Sequence, residues 1–281
     1  MEAWLQAAGG ADSRGTAWPV GLVVTGCALG PQAAAALGRA LGEGLFAGLR
    51  YLHVEHNKKM GDEGFARLVA ALREAHEERM GVAPGQLQCR PGHGHERGHG
   101  HHHHHSSSPF ARGLKGLFVR GNGLGDKSAL ALADALERGL LGHRLVELLL
   151  HERGEGGGGG MMTDDGFTRL AAALEKGGRR HLRCLTRLAI GCGGGGDGDR
   201  GASSPHGEGG GKLKGGERAQ VSTGRLTLGG VLRLVKAALE HLPALRTLQL
   251  MDVHRVLGVY EGALGLVRRA RRRGMAVVVV Y

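Results

Sequence analysis

Leu114-Lys-Gly-Leu117-Phe-Val119-Arg-Gly-Asn122-Gly-Leu124-Gly125-Asp126 is the stretch that decides the architecture of this chain. Leu117 and Val119 are two residues apart, so both point to one face of a short strand, and that face is a core. An Asn three positions further on can sit under the strand's end, where its small polar side chain satisfies turn backbone that has no ladder partner. The phrase returns as Leu49-x-x-Leu52-x-Val54-x-x-Asn57. Weaker copies begin at Leu145, Leu185 and Leu245, and a degenerate first copy runs through Leu22, Val24 and Cys27. Asn57, Asn122 and Cys27 are expected in the under-strand role. Recurrence of this kind is the mark of a solenoid.

The second half of each unit changes period from 2 to 3.6, as a strand followed by an amphipathic helix should. Phe65, Leu68, Val69 and Leu72 fall at i, i+3, i+4 and i+7. The same spacing holds for Ala129, Leu132, Ala133, Leu136 and for Phe167, Leu170, Ala171, Leu174. It holds again for Ala34, Leu37, Gly38, Leu41, for Val231, Leu234, Val235, Ala238, and for Ala263, Leu266, Val267, Ala270. Small residues at the third and fourth positions let each helix lie close to its neighbours. The fold class is therefore α/β, built from repeated strand–helix units.

The phrase continues as Met60-Gly61-Asp62-Glu63-Gly64 and Met162-Thr163-Asp164-Asp165-Gly166. With these tails it resembles the ribonuclease-inhibitor-like class of leucine-rich repeats, found also in NOD-like receptors and Ran GTPase-activating proteins. The resemblance spans roughly residues 18 to 281. It implies a right-handed β-α horseshoe of about six repeats, with binding on the concave strand face. The Asn position is occupied instead by Arg153, Gly193 and Val253 in the later units, so regularity fades toward the C-terminus.

Low-complexity sequence interrupts the repeats. The strand-to-helix spacing is nearly constant for Val24 to Ala34, Val54 to Phe65 and Val119 to Ala129, then lengthens from Leu150 to Phe167 and further from Ile190 to Val231. The excess is glycine-rich, with polyglycine at residues 156–160 and 193–196. Inserts are expected at about 76–112, 153–161 and 193–224, as loops that bury too little apolar surface to offset their ordering entropy. Residues 1–17 form a separate N-terminal segment and 18–281 the repeat domain.

Cys27, Cys89, Cys184 and Cys192 show no disulfide framework, which favours a reducing compartment. There is no evident secretory signal and no apolar run of spanning length, so a cytoplasmic protein is expected, with nuclear entry as the alternative. The C-terminal stretch Ala276 to Val280 reads as a bare apolar strand with no helix after it, as in a fragment.

Several motifs carry chemistry on paper. Gly121 to Ser128 follows a strand and opens a helix like a phosphate-binding loop, but Asp126 stands where its last Gly belongs and would repel phosphate. His95-Glu96-Arg97-Gly98-His99 matches the zinc-peptidase string, yet Gly92, Gly94, Gly98 and Gly100 oppose the helix that chemistry needs. The surrounding histidines, His93, His95, His99, His101, His102, His103, His104 and His105, are candidates only for weak, unselective divalent-metal binding. No catalysis and no cofactor are expected. The net charge of +11 invites an anionic partner, densest at Arg268, Arg269 and Arg271 to Arg273. Those arginines continue a helix on its solvent side, and aromatic platforms are lacking, so nucleic acid is not the expected partner.

Strand residues opposite the core ones remain. They are Tyr51, His53, Glu55, Phe118, Arg120, Glu147, His151, Arg187 and Gln249, with Leu149, Thr247 and Met251 between them. Mixed aromatic, charged and donor side chains suit a protein interface. The expected function is a non-catalytic protein-interaction module, with a regulator of a small GTPase, which the resemblance also implies, as the alternative.

Overall fold

Alternating apolar residues produce short parallel strands, and each of the first six is followed by a helix whose apolar stripe covers the sheet. In the computed structural model, residues 20–79, 114–150, 162–191, 226–251 and 261–280 are described. The strands are β1 (Gly21–Val23), β2 (Tyr51–His53), β3 (Gly116–Phe118), β4 (Glu147–Leu150), β5 (Arg187–Gly191), β6 (Thr247–Met251) and β7 (Ala276–Val280). Between them lie α1 (Pro31–Gly42), α2 (Gly61–Arg79), α3 (Asp126–Arg138), α4 (Asp164–His181), α5 (Leu228–His241) and α6 (Glu261–Arg272). All seven strands join one parallel sheet in sequence order. Six strand–helix units are thus followed by a seventh strand.

The core forms where the two periodicities meet. Leu52 aligns with Leu22 and Leu117, and the row continues through Leu148, Leu188 and Leu248. All six are buried, as are Val54, Val119, Leu150, Ile190 and Leu250 two residues further along. From the helices come Phe65, Leu68, Leu72, Leu132, Leu136, Phe167, Leu170 and Leu234, also buried. Burying one such side chain contributes about 1.5–3 kcal/mol. Ordering a unit of about 30 residues costs about 1–2 kcal/mol per residue, so no unit stands alone and stability comes from stacking on neighbours.

Close helix approach depends on the small third-position residue. A Cβ on Gly38 of α1 would lie 2.1 Å from the Leu68 carbonyl oxygen of α2, so only glycine permits this contact. Helices start about a turn earlier than their apolar template, because the Asp of the Gly-Asp or Thr-Asp tail already lies in the first helical turn, with Gly125 and Thr163 as extended caps before it. The insert expected from residue 76 begins later, since α2 continues through Arg79 with Ala75 still packed in the core. The inserts themselves, and the histidine tract within the first, lie outside the described residues. No described helix is long and apolar enough to cross a membrane.

Candidate functional site: the open face of the sheet

Two polar relays fix the turns from which the open-face side chains emerge. Asn57 and Asn122 are fully buried under the ends of β2 and β3. Asn122 Oδ1 accepts from the Asn57 amide at 2.7 Å, while its Nδ2 donates to the carbonyls of Val54 and Val119. Asn57 repeats the pattern one unit earlier, donating to the carbonyls of Val24 and Glu55 and accepting from the Leu29 amide at 3.1 Å. The residue before each Asn is left-handed, His56 at φ 57° and Gly121 at φ 72°. Cys27 does not join this relay: it is exposed, and its thiol donates to the Thr25 carbonyl at 3.4 Å. A thiol has no carbonyl-type acceptor, so the first unit is tied by Asn57 from the next one.

The second relay runs through aspartates. Asp62 in the first turn of α2 accepts from the amides of Gly125, Lys127 and Ser128, which open α3. Asp126 of α3 accepts from the Thr163 amide at 2.8 Å, the Thr163 hydroxyl at 2.7 Å and the Gly166 amide at 3.1 Å, which open α4. Asp164 of α4 accepts from the Thr227 amide at 2.6 Å and from its hydroxyl, ahead of α5. Each carboxylate therefore satisfies otherwise orphaned amides of the next helix and opposes its positive pole. The loop that imitates a phosphate site has its helix-opening amides occupied by Asp62.

Above these turns, β2 and β3 hold a compact side-chain group. The His53 and Phe118 rings stack at 4.2 Å between centroids and 2° between planes. Tyr51 and Phe118 lean together over Gly116, where a Cβ would come within 2.6 Å of Phe118 Cε2 and 2.9 Å of Tyr51 Cδ1. Arg120 Nε lies 2.7 Å from Glu55 Oε1, and His53 Nδ1 lies 3.5 Å from Glu55 Oε2. Tyr51 is 36% exposed and the Arg120 side chain 46% exposed, so both present surface to solvent.

Glu55 departs from expectation. It is buried rather than displayed, because Arg120 from the next unit and His53 from its own close over its two oxygens. Its role is to hold Arg120 in place. Glu147 and Leu149 on β4 and Gln249 on β6 are half-buried. Arg187 on β5 reaches Gln249 Oε1 at 3.3 Å, making a second, smaller pair on the same face. Ala189 between them is buried, so the face is recessed there. His151 lies outside the described residues.

Sequence reading gave no role to Gly116, Asp62, Asp126 or Asp164. The aspartates did carry a signal, since each stands at the same place in the repeated phrase. Gly116 had a weaker one, a glycine at the strand position where the preceding unit carries Tyr51. Among the described residues there is no cluster of three or more metal-ligating side chains. The chain matches no protein-family model, and no curated protein is similar enough to register as a relative.

Proposed function

We propose that this chain is a leucine-rich repeat scaffold of the ribonuclease-inhibitor-like kind that binds a protein partner through the open face of its sheet, without catalysis. The observation that carries the reading is the pre-set group on β2 and β3: Tyr51, the stacked His53–Phe118 pair, and Arg120 clamped by buried Glu55. Aromatic and Arg side chains dominate interface energetics, and those already held in one geometry lose less entropy on binding. Fold support comes from the sequential parallel sheet, the under-strand asparagines and the aspartates that cap the next helix.

The test is capture of a partner by the purified chain, followed by titration of Tyr51→Ala, Phe118→Ala and Arg120→Ala against the helix-side control Arg67→Ala. Loss of a central anchor costs about 2 kcal/mol, roughly thirty-fold in affinity. Equal binding by all three variants with loss in the control would move the interface to the helices. Acceleration of GTP hydrolysis when a loaded small GTPase is added would instead support the regulator reading.

A further inference from the structure

Because every strand is parallel and every helix runs back, all helix-to-strand junctions lie on one rim of the molecule. Each junction from β2 to β7 carries a cation, in order Arg50, Lys115, Arg144, Arg183, Arg246 and Arg273. The junctions are stitched together by backbone bonds, among them Lys115 N to Arg50 O, Val146 N to Lys115 O and Arg246 N to Thr186 O. Neighbouring strands are about 4.8 Å apart, so successive junctions follow one another closely along the rim, with Arg50, Lys115 and Arg246 directly before their strands and Arg144, Arg183 and Arg273 a few residues earlier.

None of the six pairs with a carboxylate of the described residues. Among the described residues the lysine and arginine ion pairs use other cations: Arg67, Arg73, Arg120, Lys127, Arg138 and Lys176. Capping of helix C-terminal carbonyls explains part of the rim. Arg273 donates to the Leu239 carbonyl, and Arg183 Nε to the Arg179 carbonyl at 3.1 Å. It leaves out Arg50, Arg144 and Arg246, which are exposed beyond the helices. Carboxylates also stand along this rim, Glu43 and Glu78 exposed near the first junctions and Glu147 and Glu240 half-buried near later ones, but none of them pairs with a junction cation.

We propose that this rim is a second interaction surface, which docks an acidic segment of a protein partner. Guanidinium groups pair with carboxylates without needing stacking platforms, and although Tyr51 adjoins Arg50, no exposed Phe, Tyr or Trp of the described residues stands beside Arg144, Arg183, Arg246 or Arg273, as single-stranded nucleic acid would use. The surface is distinct from the open face, and its test does not depend on that reading.

A glutamate 20-mer is the probe, titrated by fluorescence anisotropy at low and at physiological salt. Arg144→Glu, Arg183→Glu and Arg246→Glu together should weaken binding about tenfold or more, and raised salt should weaken binding to the unaltered chain. A control carrying Arg169→Glu, Arg233→Glu and Lys236→Glu on the outer helix faces has the same net charge and should bind within about twofold of the parent. Circular dichroism confirms that both triple variants fold. Equal loss in both triples would mean that total charge, not the rim, drives binding, and would overturn the proposal. So would an oligothymidylate of equal charge, or phosphatidylserine vesicles, binding at least tenfold tighter than the peptide through the same three arginines.

Discussion

Removing the Asp126 carboxylate should destabilise the fold far more than its half-buried position in a first helical turn suggests. Asp126→Ala strands the Thr163 amide and hydroxyl and the amide of Gly166, a buried residue. Hydrogen bonds to a charged acceptor are worth about 1.5–3 kcal/mol each, but Thr163 is only half-buried and water recovers part of its share. The expected loss is about 3 kcal/mol. Asp126→Asn keeps one acceptor oxygen and loses the charge facing the pole of α4, so about 1–1.5 kcal/mol is expected. Asp165→Ala is the control: it lies in the same first turn of α4, is exposed, and acts only through the helix dipole, worth about 0.5 kcal/mol. Urea unfolding followed by far-ultraviolet circular dichroism measures all three. If Asp126→Ala lies within about 0.5 kcal/mol of Asp165→Ala, the carboxylate does not couple one unit to the next and the relay argument fails.

Other consequences are as direct. Gly166→Ala should destabilise α4 although alanine favours helix by about 1 kcal/mol, because the new Cβ would sit 2.5 Å from Asp126 Oδ1; a gain in stability would contradict that approach. Deletion of residues 194–222 should preserve a cooperative unfolding transition, because Arg187 to Gly191 pair in register with Thr247 to Met251 without it; loss of cooperativity in thermal unfolding would refute this. Burial, the largest influence on His76, lowers its pKa below the ordinary 6.5, and its Nδ1 lacks a hydrogen-bond partner. The unfolded chain then binds the proton first, so stability is full above pH 6.5 and declines as pH falls below it toward the depressed folded pKa. His76→Gln should flatten that part of the stability profile, and an unchanged slope would rule His76 out as its source.

Strands, helices and core were legible because each rests on local spacing. Leu52 with Val54, or Phe65 with Leu68 and Leu72, can be read within a single unit, and all are buried as the periods require. What stayed hidden depends on the next unit. Glu55 looked like a surface carboxylate until Arg120, far along the chain, closed over it. Asp126 looked like a defect in a phosphate loop, whereas it caps a helix that begins beyond a glycine-rich stretch. Cys27 matched the Asn position by spacing but lacks the acceptor and donor pair that Asn57 and Asn122 use to join neighbouring units.

Hydroxyl-radical footprinting of the chain bound to its captured partner tests the open-face assignment most directly. Tyr51, Phe118 and Met251 on the sheet should lose reactivity on binding, while Leu130, exposed on the outer side of α3, should not. Protection of Leu130 with Tyr51 and Phe118 as reactive as in the free chain would place the partner on the helices and contradict the account.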